Sequence, residues 1–210
     1  HAMVSLSLIV TISTDIPPDK MQNTINSLKS QSGMGDDSIH ELLAHSTLLH
    51  LPKKHVLTSS FLHDPNFYFI ERGIARSYCV IDGKEITSWF STEGDIVFST
   101  NNFYGRRPGY EYEVVQLLED SVLYAIPVKV LEKLYETNLE IANWSRILHQ
   151  EAFLANEQRL ISMLYKSAET RYVELLQTRP ELFRRVNLGY IASFLGMSQV
   201  TLCHLRNKIK

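Results

Sequence analysis

The stretch NLGYIASFLGMSQVTLCHLRNKIK, residues 187–210, reads as two short helices around a tight turn. Asn187 suits the N-cap of LGYIASFL, because its side-chain oxygen accepts from the free amides of a first helical turn. Leu188, Ile191, Ala192 and Leu195 fall on one face and are expected to point inward. Gly196 stands where the chain must turn, and glycine reaches positive φ without steric cost. Ser198 then caps a second helix whose inward pair is Leu202 and Leu205. Gln199, Thr201, Cys203, His204, Arg206 and Lys208 are left for its outer faces. This is the pattern of a helix-turn-helix, in which one helix braces and the second lays its N-terminal side chains in a major groove. Glutamine can bond adenine bidentately, threonine can touch a thymine methyl, and histidine or arginine can reach guanine or phosphate. The competing reading is a plain helical hairpin.

Charge separates the two readings. Residues 171–210 carry seven Lys/Arg (Arg171, Arg179, Arg184, Arg185, Arg206, Lys208, Lys210) against Glu174 and Glu181, a net of +5. Residues 1–170 carry 14 Lys/Arg and 21 Asp/Glu, a net of −7. A basic module on an acidic body suits a polyanionic partner, with Arg184 and Arg185 expected to help grip phosphate. At 44% apolar and 21% charged residues, the chain of 210 residues is globular rather than disordered or fibrous. Two cysteines, Cys79 and Cys203, make neither a disulfide framework nor a Cys-rich metal site, which favours a reducing cytoplasm. The opening HAM reads as a tag remnant, and VSLSLIV after it is too short to span a bilayer. No other stretch is long and apolar enough for a membrane helix.

Residues 49 to about 127 carry short runs rich in Val, Ile, Tyr, Phe and Thr, such as NFYFIERG, IARSYCVIDG, KEITSWFSTEGD and SVLYAIP. Gly, Asp and Pro separate them, which predicts a β-barrel or sandwich. IDGK, residues 81–84, holds the Asp-Gly pair of a two-residue hairpin turn. Before the strands, residues 21–30 follow helical spacing, and Asp37 or Ser38 is expected to cap a second helix. After them, VKVLEKLYETN is a short helix. A run without Gly or Pro then covers about Leu139 to Lys166, roughly 40 Å of helix. Its apolar positions include Ile141, Trp144, Leu148, Leu154 and Ile161. They exceed what one small barrel covers, so they are expected to form a homodimer interface, the alternative being burial within one protomer. Ser167 can cap the helix that follows.

The order helix, small β-barrel, long helix, helix-turn-helix resembles the Crp/Fnr family of dimeric transcription regulators, in the style of its Bacteroidetes-type members. The resemblance runs from about Met21 to the C-terminus and is carried by YFIERGIARSY, DGKEITSWFSTEGD, LEDSVLYAI, ETRYVELLQTRPELFRRV and YIASFLGMSQVTL. It implies an α+β fold: an N-terminal double-stranded β-helix, or jelly-roll, resembling cyclic-nucleotide-binding domains, then a long dimerisation helix and a winged-helix-like helix-turn-helix. The implied layout is residues 1–20 as tag remnant and extension, 21–137 as sensor barrel with flanking helices, 138–166 as dimerisation helix and 167–210 as DNA-binding domain. The implied partners are a second copy of the chain, double-stranded promoter DNA and RNA polymerase, with no membrane.

Two departures from the family pattern shape the functional expectation. Members that bind cyclic nucleotides hold the ribose with a Gly-Glu pair and the phosphate with an Arg-Ser or Arg-Thr pair. Here Phe98 and Ser99 fall at the first pair, and Glu111 and Tyr112 at the second. A carboxylate where a phosphate should sit is repulsive, so cyclic AMP is not expected to bind unless nearby Arg106 and Arg107 fold inward. The pocket is thus read as degenerate, with another effector or none. The Arg-Glu pair and later Arg of many recognition helices are replaced by Gln199, Val200 and His204. No cofactor is expected: an N-terminal Cys cluster is missing, and His40, His45, His50 and His55 turn about 140° apart on a helix, sharing no face. No nucleophile elbow, phosphate loop or metal-ligand pair suggests an enzyme. The alternative function is a small-molecule sensor whose terminal module binds protein instead of DNA.

Overall fold

The computed structural model describes residues 21–59, 62, 64–99 and 113–209. Glu111 and Tyr112, with Arg106 and Arg107, lie outside the described residues, as does the N-terminal extension. Two helices lead, α1 (Gln22–Ser32) and α2 (Asp36–Leu43). Strands follow as β1 (Thr47–Leu51), β2 (Val56–Thr58), β3 (Asn66–Arg72), β4 (Ala75–Ile81), β5 (Lys84–Ser91), β6 (Ile96–Val97), β7 (Glu113–Leu117) and β8 (Ser121–Pro127). Then come α3 (Val128–Thr137), α4 (Leu139–Tyr165), α5 (Ala168–Thr178), α6 (Leu182–Arg185), α7 (Leu188–Phe194) and α8 (Gln199–Lys208).

The strands form two four-stranded antiparallel sheets, ordered β1-β8-β3-β6 and β2-β7-β4-β5. Period-2 alternation sends Leu51, Tyr68, Ile70, Val97, Leu123 and Ala125 from the first sheet against Leu57, Ala75, Val115 and Leu117 from the second. The opposite face of the first sheet, with Phe67, Phe69, Tyr124 and Ile126, is covered by α1 to α4. The β4–β5 turn is the two-residue hairpin that IDGK predicts: Ile81 pairs with Lys84, and Asp82 and Gly83 take φ of 51° and 72°.

Three expectations are corrected here. Among the described residues no strand pairing joins the two sheets, so the expected barrel is an open sandwich. The described residues of the terminal module are helical, with no strand of a wing among them. The second helix starts at Asp36, with Gly35 at its N-cap, and neither Asp37 nor Ser38 caps it. Ser38 is buried inside the helix, where it bonds Asn138. The Gly35 amide goes instead to Glu140 at 3.0 Å, tying the start of α2 to the start of α4.

Helix α4 begins where Asn138 accepts from the amides of Glu140 and Ile141, at 3.0 and 3.1 Å. Its first half faces the protomer's own core. Ile141 and Trp144 are 0% and 1% exposed. The Trp144 ring lies 5.8 Å from Phe69 and 5.9 Å from Phe67. Leu148 is partly buried against the same cluster. Ile141 and Trp144 are therefore removed from the expected dimer interface: the sandwich covers them.

Candidate functional site

The two C-terminal helices are fixed by local chemistry at every joint. The Asn187 side chain accepts from the Gly189 amide at 2.7 Å, and α7 begins. At its end Gly196 takes φ of 63°. The Met197 amide reaches back to Ala192 O at 3.0 Å and the Gly196 amide to Ser193 O at 3.1 Å, the paired bonds of a Schellman stop. A Cβ at position 196 would stand 2.9 Å from Met163 Sδ of α4, which that flexible side chain can relieve, so the positive φ is what calls for glycine. Ser198 Oγ accepts from the Thr201 amide at 3.1 Å and starts α8. The two helices are bent by 99°, within the range of helix-turn-helix pairs.

Leu202 and Leu205 are buried, as the apolar spacing predicts, and they orient α8. At about 100° per residue, Val200, Cys203, His204 and Asn207 lie roughly opposite them. Val200, His204 and Asn207 are exposed and Cys203 is half-buried. Gln199 and Arg206 flank this line on one side, Thr201 and Lys208 on the other, and all four are exposed. Asn207 escaped the sequence reading, although counting seven residues on from Val200 finds it.

The basic surplus of the C-terminal module divides into two groups. Arg171, Arg179 and Arg185 are engaged inside the protomer. Arg171 donates to Leu195 O and Lys166 O at 2.9 and 2.7 Å. Arg179 donates to Phe90 O of β5 at 3.0 Å and to Thr92 at 3.1 Å. Arg185 bridges Glu93, at 2.8 and 2.7 Å, and Glu119. Arg185, expected to grip phosphate, is thus engaged by two carboxylates of the sandwich loops and clamps the terminal helices to them. Partial burial pushes the Glu93 carboxyl up, but the Arg185 bonds and the Gly73 amide outweigh it and bring the pKa to about 2. A depressed carboxylate stabilises the docked state above the usual carboxylate range, and that contribution is lost as pH falls toward 2. Glu93 is thus charged at neutral pH. Arg184, Arg206 and Lys208 remain on the surface. Lys208 pairs with Glu169 at 2.9 Å, both more than 40% exposed, a weak bond that a phosphate can displace.

Other contacts complete the docking. Ile74 and Phe90 of the sandwich share a core with Tyr172, Leu182, Ile191 and Leu202. Ser193 of α7 donates to Glu85 O at 2.9 Å and accepts from the Thr87 amide at 3.0 Å. The fully buried Arg76 lies between the rings of Tyr78 and Tyr190, at 4.3 and 3.7 Å. Arg159 of α4 donates to Ser88 O, Thr87 O and Phe194 O, joining three elements at one guanidinium.

Of the four residues expected to line an effector pocket, Phe98 and Ser99 are described, and both contact other side chains. Phe98 stacks on Phe67 with centroids 5.8 Å apart. Ser99 is buried and donates to Glu113 at 2.9 Å, and Ser77 donates to the other carboxylate oxygen at 3.2 Å. The cavity lined by Phe98, Ser99, Tyr68 and Val115 measures about 10 Å³, room for one water. Glu113 was missed in the sequence, yet its signal is there. It alternates with buried Val115 and Leu117 and so points inward.

The far half of α4 presents the opposite face to solvent. Phe153, Leu154, Leu160, Ile161 and Leu164 are exposed by 67%, 44%, 60%, 49% and 67%. Phe153 to Leu160 and Leu154 to Ile161 are steps of seven, and Leu164 follows Leu160 by four, the spacing of a coiled-coil seam. Of the expected interface residues, Leu154 and Ile161 lie on this face. No single helix among the described residues is long and apolar enough to cross a membrane.

No protein-family model matches the sequence, and no curated protein matches it. Solved structures do match in fold. FixK2 from Bradyrhizobium japonicum superposes with a TM-score of 0.62 at 18% identity, over 78% of this chain and 84% of that one. A protein from Eubacterium rectale assigned to the Crp/Fnr family of transcriptional regulators gives 0.66 at 15% identity, over 87% of each chain. CLP from Xanthomonas campestris, a regulator responsive to c-di-GMP, gives 0.64 at 18% identity, over 83% and 91%. The chain shares the fold of these Crp/Fnr regulators.

Proposed function

We propose that the protein is a homodimeric, sequence-specific DNA-binding transcription regulator of the Crp/Fnr type, working in the cytoplasm on promoter DNA with RNA polymerase as a further partner. Residues 21–137 form its sensor unit, 138–166 its dimerisation helix and 167–210 its DNA-binding unit. The observation that carries the reading is the exposed face of α8, capped at Ser198 and braced by a helix at 99°. Gln199, Val200 and His204 read bases, with Ser198, Thr201, Arg184, Arg206 and Lys208 on phosphates. Duplex binding tests it. Arg206→Ala is expected to weaken all sequences alike and to reduce the salt slope by about 2 per dimer. No binding by the wild-type chain at low salt would point to a protein partner for this module instead.

The sensor pocket is degenerate in this reading. Glu113, held by Ser77 and Ser99, puts a carboxylate beside Phe98 and Ser99, where a cyclic phosphate would meet charge repulsion. Titration calorimetry with cyclic AMP is expected to show no binding at millimolar concentration. Micromolar binding would contradict the reading and leave the pocket intact as a nucleotide site.

A further inference from the structure

We infer that Val200 reads the 5-methyl group of a thymine in each half-site, which makes that thymine a fixed feature of the operator. The inference rests on the DNA-binding reading above and adds the base it selects. Val200 is 80% exposed in the first turn of α8. Folding does not call for valine at this position. A β-branched side chain is a mediocre helix former, and this one faces away from the core that Leu202 and Leu205 enter.

Its neighbours sharpen the assignment. The Thr201 hydroxyl lies 2.8 Å from Ser198 Oγ, so it belongs to the N-cap and not to a free reading group. Gln199 and Arg206 stand to one side of Val200 and Lys208 to the other, all polar. Of the exposed side chains on the outward line, Val200 is the one in the first turn of α8, and unlike His204 and Asn207 it has no hydrogen-bonding group. In the major groove the C5-methyl of thymine is the apolar feature among the base edges. An aliphatic side chain over the amino group of cytosine would leave that donor without water or an acceptor. Thymine over cytosine is the discrimination this geometry provides. His204 lies one helical turn further along the same line and falls over a neighbouring base.

The test uses the whole chain and a duplex it selects from a randomised pool. Each thymine is replaced in turn by uracil, which removes the methyl group alone. One position per half-site is expected where this weakens binding about three- to fivefold. Val200→Ala is expected to bind the thymine and uracil duplexes nearly equally, while Val200→Ile keeps the difference. A methyl effect at no position, or one undiminished in Val200→Ala, overturns the inference and leaves duplex binding standing. If the wild-type chain enriches no duplex at all, the DNA-binding reading falls and this inference with it.

Discussion

Leu160→Glu combined with Leu164→Glu is expected to convert the dimer to a monomer and to weaken operator binding by about 10²- to 10³-fold. Both leucines stand on the solvent face of the protomer, 60% and 67% exposed, so the protomer fold does not depend on them. Their place is the heptad seam shared with Phe153 and Ile161. In the proposed dimer, carboxylates in that seam would meet their two-fold mates across a dry contact, where like charges repel. A monomer then grips one half-site and loses the gain of binding two sites at once, typically 10² to 10⁴. Sedimentation reads the first effect and a mobility-shift titration the second. A double variant that stays dimeric would place the interface elsewhere.

Trp144→Ala is expected to cost about 3–5 kcal/mol of stability, lowering the melting midpoint by about 10 °C. Trp144 is among the largest fully buried side chains of the chain and packs on Phe67 and Phe69. Its removal opens a cavity between α4 and the first sheet that flanking strands cannot close. Trp144→Phe keeps a ring against Phe69 and removes an indole N–H that no described residue accepts. It is expected to cost roughly half as much or less. If Trp144→Ala left the protomer stable and dissociated the dimer, the interface would lie at the start of α4 after all.

These two substitutions also mark where the sequence was readable. Apolar spacing identified α4 as one long helix but pooled its residues into one stripe. The buried set at Ile141 and Trp144 and the exposed set at Leu160 and Leu164 lie on opposite faces. Only the position of the sandwich beside the helix separates them. Likewise Asn187, Gly196 and Ser198 were legible because caps and positive φ are local properties. The clamp at Arg185 was not, since Glu93 and Glu119 lie 92 and 66 residues away. Charge counting treats every arginine as free for a polyanion. Here four of the seven basic residues counted bond the protein's own groups: Arg171, Arg179 and Arg185 through partly buried contacts, and Lys208 through an exposed pair with Glu169.

The same clamp gives the proposed regulator its mechanical unity. α6 and α7 are held on β5 and its flanking loops by Arg185, Arg179 and Ser193. Arg159 of the long helix joins them. A change in the sandwich or in α4 therefore has a chain of direct contacts leading to the helices that carry α8.

The most direct test of DNA binding is the salt dependence of duplex affinity for the whole chain. Arg184, Arg206 and Lys208 are exposed, and in the proposed dimer they would provide six phosphate-gripping cations. The expected result is a linear fall of log affinity with log salt, of slope about −5, costing about 10³-fold between 50 and 200 mM. Binding that does not change over that range, or no binding at 50 mM, would contradict the proposed function.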